Sequence, residues 1–275
     1  MNRFVAVLTA VACAAFCRAA VAEDAAEAGR CVLGQFQDAV VTVKLVVSYS
    51  VSYGGHDQQG ETKTEAIGTV IAPSGLTVIS LSTIDTSEIW KSRMRSSSQA
   101  DFKIEMEVKD AKIVLADGTE IPAEVALRDK DLDLAFLWPT EKPAKPLVAI
   151  DLAKAGKPQV LDQVICLNRL GKIANRIASV SIERVDALVE RPRPFYVLGA
   201  GGSSGVGSPV FALSGEPLGI VLIRNAPTEG DVNVGSYFSA SSGSYGFFPV
   251  VVPATDIIED AKQALEAKKP APTDK

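Results

Sequence analysis

Gly199-Ala-Gly-Gly-Ser-Ser-Gly-Val-Gly-Ser-Pro-Val-Phe-Ala-Leu-Ser-Gly-Glu-Pro-Leu-Gly-Ile-Val-Leu-Ile-Arg224 decides how the rest of the chain is read. It is a glycine-packed loop, a short apolar strand, a tight turn and a second apolar strand. The glycines between Gly199 and Gly207 permit backbone angles that bulkier residues resist. Such a loop can aim consecutive N–H groups at one point, as an anion or oxyanion pocket does. Ser214-Gly-Glu-Pro217 is turn chemistry between Val210–Leu213 and Leu218–Ile223.

Working outward, the chain has 275 residues, of which 47% are hydrophobic and 22% charged, with 21 Gly and 15 Pro. That composition suits one large β domain or two small ones. Met1-Asn-Arg3 is a basic start, Phe4–Cys17 is apolar, and Ala20-Val-Ala22 fits a small-x-small cleavage site. Residues 1–22 are therefore expected to be a signal peptide, with a periplasmic or secreted mature chain. Cys13 or Cys17 as a lipid attachment site is the other reading of this leader. The apolar run is short and broken by Arg18, and no later run is long enough to span a bilayer. Loss of Arg3 and Arg18 leaves 26 basic residues against 33 acids, so net charge moves from −5 to −7. An acidic chain without a basic stripe argues against nucleic acid as a partner. Arg191-Pro-Arg-Pro194 and Lys91-Ser-Arg-Met-Arg95 read as solvated loops. With one histidine, His56, and no zinc-type cysteine spacing, neither a metal nor a cofactor is expected. Cys31 and Cys166 remain in the mature chain, either as a disulfide or as two buried thiols.

Residues 23–38 suit a short amphipathic helix with Val32, Leu33 and Phe36 on one side. Ala39–Tyr53 is β-branched and aromatic throughout, a long strand. Gly54–Gly60, with His56, reads as a surface loop, and Lys63–Ala72 as the return strand. The Ser-rich stretch 85–101 reads as a surface insertion. Phe102–Val108 and Lys112–Leu115 read as strands, with Asp117-Gly118 as a hairpin signal before Glu120–Leu127. Three prolines in Pro139–Pro146 mark a crossing between two halves. Gln159–Leu167, Ile173–Ile182 and Val185–Glu190 are strands of a second all-β half, with Asn168–Gly171 as a turn. Residues 228–244 read as an exposed loop, and Tyr245–Val252 as the closing strand. Thr255 or Asp256 can cap a last helix with Ile257, Ile258, Ala261 and Leu265 inward, before a disordered tail over 269–275.

Three motifs, in order, resemble the trypsin-like serine proteases, in particular the HtrA (Deg) kind. Gly207-Ser-Pro-Val210 followed by Gly215-Glu-Pro-Leu-Gly-Ile220 resembles that family's nucleophile loop and the turn and strand after it. Gly68-Thr-Val-Ile-Ala-Pro-Ser-Gly-Leu-Thr-Val-Ile-Ser-Leu-Ser-Thr-Ile84 resembles the stretch that carries the general-base histidine. Arg128-Asp-Lys-Asp-Leu-Asp-Leu-Ala-Phe-Leu137 resembles the stretch that carries the orienting acid. The resemblance covers roughly 39–265 and implies an all-β fold of two six-stranded antiparallel barrels. They would lie over 39–138 and 159–253, joined by a linker over 139–158, with a last helix over 254–268. After Leu265 too little chain remains for the peptide-binding PDZ domain that many HtrA proteins carry.

On this register the acid position is Asp133, the histidine position is Ser82 and the nucleophile position is Val206. Ser204 and Gly205 replace the glycine and asparagine of the oxyanion loop, and Gly207 follows the nucleophile position. Valine has no nucleophile and serine is no imidazole. With no histidine to orient, Asp133 is expected to be a strand-start residue hydrogen-bonded to nearby backbone. The implied function is a trypsin-like domain that has lost proteolysis and binds a polypeptide or a partner protein, such as an active protease. The alternative is an active endopeptidase using Ser203, Ser204 or Ser208, with His56 or a lysine as base. A third class is a purely structural envelope protein.

Overall fold

In the computed structural model, residues 24–87, 103–199, 205–225 and 247–266 are described; the leader, most of the 85–101 stretch, the 228–244 stretch and the tail lie outside them. Helix α1, residues 24–36, runs through a short 3-10 turn, Gln37–Ala39, into the first strand. The first barrel comprises β1 (Val40–Tyr53), β2 (His56–Val70), β3 (Thr77–Ser80), β4 (Lys103–Val114), β5 (Glu120–Asp129) and β6 (Leu134–Pro139). The second comprises β7 (Gln163–Arg169), β8 (Ala178–Val189), β9 (Phe195–Leu198), β10 (Pro209–Ala212), β11 (Pro217–Asn225) and β12 (Phe247–Pro253), before helix α2 (Ala254–Glu266). The closed orders are β1-β2-β3-β6-β5-β4 and β7-β8-β9-β12-β11-β10, so the two halves share one topology without a sequence repeat. All pairings are antiparallel.

Strands that touch both barrel interior and the seam between barrels have apolar residues on both faces along their central stretch. In β6, Ala135 and Leu137 pack inside the first barrel, while Leu134 and Phe136 face the seam. In β7, Val164 and Cys166 pack inside the second barrel, and Ile165 and Leu167 face the seam. Successive side chains point to opposite faces, so a strand buried on both sides reads as a continuous apolar run. The seam core also takes in Val32 of α1 and Ile257 and Ala261 of α2. Phe36 at the end of α1 stacks on Phe211 of β10, with centroids 5.1 Å apart.

Several local expectations are corrected. The expected loop at 54–60 is a two-residue turn: Gly54 and Gly55 have φ of 55° and 80°, the angles of a tight hairpin. His56 is then the first residue of β2, paired with Tyr53. The two expected strands at 102–115 are one strand with a bulge where Lys109 is left out of register with β1. Likewise β8 is continuous, with a bulge at Asp186, and begins after a 3-10 turn at Lys172–Ala174. Asn168 belongs to β7 rather than to a turn. Helix α2 starts at Ala254, which places Thr255 and Asp256 inside its first turn. Ala264, not Leu265, completes its buried face; Leu265 is 36% exposed. Cys31 is exposed and Cys166 buried, and they form no disulfide.

Candidate functional site

The connection from β5 to β6 is folded by Asp129, whose Oδ1 accepts from the backbone N–H of Asp131 at 2.7 Å and of Leu132 at 2.9 Å. The fold delivers Asp133 just ahead of β6 with φ 62°, a left-handed angle that aspartate tolerates better than most residues. Its own carbonyl accepts from Leu81 N–H at 2.8 Å.

The Asp133 carboxylate is 6% exposed and accepts four hydrogen bonds. Oδ1 takes the Ser82 N–H at 2.7 Å and the Ser82 hydroxyl at 2.6 Å. Oδ2 takes the Ser80 hydroxyl at 2.5 Å and the N–H of Ile223 at 2.8 Å. Ser80 ends β3 and Ser82 lies in the short 3-10 turn after it, both in the first barrel; Ile223 lies on β11 of the second. Burial pushes the Asp133 carboxyl above the usual carboxylate range, and the bonds from Ser80, Ser82 and Ile223 oppose that push. These partners are 51 to 90 residues away in sequence, so the expectation of a locally bonded strand-start residue is corrected: Asp133 ties the two barrels together.

Val206 lies in a turn between Gly205 and Gly207, pressed against the first barrel. Gly207 has φ 97°, and a Cβ there would stand 2.1 Å from the carbonyl oxygen of Ile67. A Cβ at Gly205 would stand 2.3 Å from Ile67 Cδ1. Gly207, against a backbone carbonyl and at a left-handed φ, therefore requires glycine, whereas at Gly205 the Ile67 side chain would have to shift. Thr69 donates its hydroxyl to the carbonyl of Gly207 at 2.7 Å, a second bond across the seam. Gly207 N–H donates to Val221 O at 2.7 Å, and Val221 N–H to Ser208 O at 2.8 Å. The Val206 turn and Asp133 thus hang on one edge of β11, at Val221 and Ile223, about 7 Å apart along the strand.

The structure brings Ser82 and Asp133 into direct contact and fixes the Val206 turn on the same strand. Ser203 and Ser204 lie outside the described residues. Ser208 is fully buried, with its hydroxyl donating to Asn168 Oδ1 at 3.1 Å, so it is not presented to a substrate. His56 is eleven residues of strand from Ile67, about 36 Å of contour. Among the described residues no group of three or more His, Cys, Asp or Glu gathers as a metal would need.

Sequence reasoning missed Ser80, Asn168, Thr69 and the Ile223 amide. Ser80 had a signal: it is a polar residue in the run Thr77-Val-Ile-Ser-Leu81, at a position that is completely buried. A buried hydroxyl needs a partner. The amide of Ile223 had none, because every residue but proline carries one.

Comparison at the sequence level finds no matching protein family and no matching curated protein. Among solved structures, the HtrA-type protease AlgW with a tripeptide matches 86% of this chain with a TM-score of 0.51 and 14% sequence identity. This chain spans 62% of the length of that one. No described helix is long and apolar enough to cross a membrane. The chain has the double β-barrel fold of the trypsin-like proteases.

Proposed function

We propose that this protein is an exported chain of trypsin-like, HtrA-type fold that is proteolytically inactive and acts by binding a polypeptide or partner protein. The observation that carries the reading is the bonding of Ser82. Its hydroxyl and amide both donate to Asp133 Oδ1, at the position where the family resemblance expects an imidazole. A hydroxyl near neutral pH cannot accept a nucleophile's proton as histidine does. Val206 has no lone pair with which to attack a carbonyl. Loss of the nucleophile alone lowers such an enzyme by about a million-fold, and loss of the base adds little. The fold match to a protease solved with a tripeptide supports a polypeptide as the ligand class.

The test is to incubate the mature protein with a fluorophosphonate probe and with casein. No labelling and no cleavage are expected. Labelling abolished by Ser203→Ala or Ser204→Ala would overturn the reading. Export is tested separately, by sequencing the N-terminus of the protein recovered outside the cytoplasm; a start at Glu23 is expected.

A further inference from the structure

The connection between β7 and β8, residues 170–177, carries Ile173 at its turn and Leu170 and Ile177 at its two ends. Ile173 is fully exposed, Ile177 63% exposed and Leu170 39% exposed. Single exposed aliphatic residues are ordinary on protein surfaces; three within eight residues form a patch.

This tip is stiff. Leu170 N–H donates to Ile177 O at 2.9 Å, closing the loop at its base. Inside it, the N–H groups of Ala174, Asn175, Arg176 and Ile177 donate to the carbonyls of Gly171, Lys172, Gly171 and Ala174. Asn175 and Arg176 both have left-handed φ, 52° and 54°, which costs arginine about 1 kcal/mol. The buried Arg169 guanidinium holds the tip from below, donating to Arg176 O at 2.8 Å, Gln37 O at 2.6 Å and Val40 O. The arginine of the connection is directed elsewhere. Arg176 pairs through its guanidinium with Glu65 of β2 and holds that carboxyl below its usual range, helped by Lys44 and Lys172. A strained, braced loop therefore presents three aliphatic side chains to water, with Lys172 as an exposed charge among them.

The tip also continues into the candidate site. Asn168, two residues before Leu170, accepts from Ser208 and packs its amide against Gly205. We propose that the β7–β8 tip, through Leu170, Ile173 and Ile177, docks an apolar segment of the polypeptide that the neighbouring site takes. This rests on the polypeptide-binding reading above and adds to it the surface and the chemistry of the ligand. One exposed lysine, Lys172, beside an arginine paired with Glu65 falls short of the cluster of basic residues that an anionic lipid surface calls for, and this favours an apolar peptide segment.

The full mature chain is titrated, by fluorescence polarisation, with two labelled 12-residue peptides: one rich in Leu, Ile and Val, the other with those residues replaced by Ser and Asn. Vesicles of phosphatidylglycerol serve as a third probe. The apolar peptide is expected to bind and the polar one not. Ile173→Asp and Ile177→Asp together are expected to weaken apolar binding by at least about tenfold, with the melting temperature unchanged because both side chains are exposed. Binding of the apolar peptide that this double variant leaves intact would overturn the docking site while sparing the polypeptide-binding reading. Failure of the wild-type chain to bind either peptide would overturn both. Sedimentation with the vesicles that depends on Ile173, without peptide binding, would reassign the tip to a membrane surface.

Discussion

The two corners of the candidate site are built by opposite means. At Asp133 a buried carboxylate gathers four donors from three elements, and the specificity is in side chains and hydrogen bonds. At Val206 the structure is almost all backbone: glycines pressed on Ile67, and amides and carbonyls paired with Val221. Both corners carry a bond across the seam, Ile223 to Asp133 in one case and Thr69 to Gly207 in the other. The contrast teaches that the geometry of this candidate site is held by its structural duties alone. Neither corner needs a nucleophile or a base to keep its shape.

The largest effect should come from supplying what the chemistry lacks. On the proposed reading, Val206→Ser alone gives no useful labelling by a fluorophosphonate, because no group takes its proton. Adding Ser82→His should raise labelling by about a hundredfold or more over the single variant, the usual range for a positioned general base. Equal labelling of the two variants would mean that the Asp133 corner no longer orients an imaginable imidazole.

Next come the two seams. Asp133→Asn leaves the Ile223 N–H or the Ser80 hydroxyl facing an amide NH2 and should cost about 3 kcal/mol in chemical denaturation. Gly207→Ala should cost a similar amount, about 3 kcal/mol, from the clash with the Ile67 carbonyl and the left-handed φ. A loss below 1 kcal/mol at either position would show that its corner does not brace the barrels. By contrast, Val206→Ala should stay within about 1 kcal/mol, since the side chain is only half-buried and the turn is held by its neighbours.

A smaller, pH-dependent effect lies behind the Asp133 corner. Asp260 of α2 is pushed up to about 6, first by burial and then by the adjacent Asp129, with Glu259 adding to the push and Arg193 opposing it. Because its value in the folded chain exceeds its ordinary 3.8, the protein binds a proton more tightly when folded. That stabilisation is fully present below about pH 4 and is lost as pH rises through 6. After allowance for solvent screening, unfolding free energy should be about 1 kcal/mol greater at pH 5 than at pH 7, and Asp260→Asn should remove the difference. A wild-type stability that rises from pH 5 to pH 7 would contradict the Asp129–Asp260 pairing.

Much of this was legible in the chain itself. The β-branched run of β1 and the apolar stretches of β6 and β11 marked strands, because strand periodicity and turn chemistry are local properties; the two antiparallel barrels were what the resemblance of the three motifs implied. The identities at Ser82, Asp133 and Val206 were equally plain, and with them the absence of an imidazole and a nucleophile at those places. Bulges were invisible, since an extra residue such as Lys109 leaves no mark until two strands are paired. So was the fate of His56: only the Gly54-Gly55 turn, by extending β2, carries it far from the site. The partners of Asp133 were beyond reach for the same reason. Hydrogen bonds to Ser80 and to the Ile223 amide join residues 53 and 90 apart, and the chain's local pattern does not encode which buried donors meet when two barrels close on one seam.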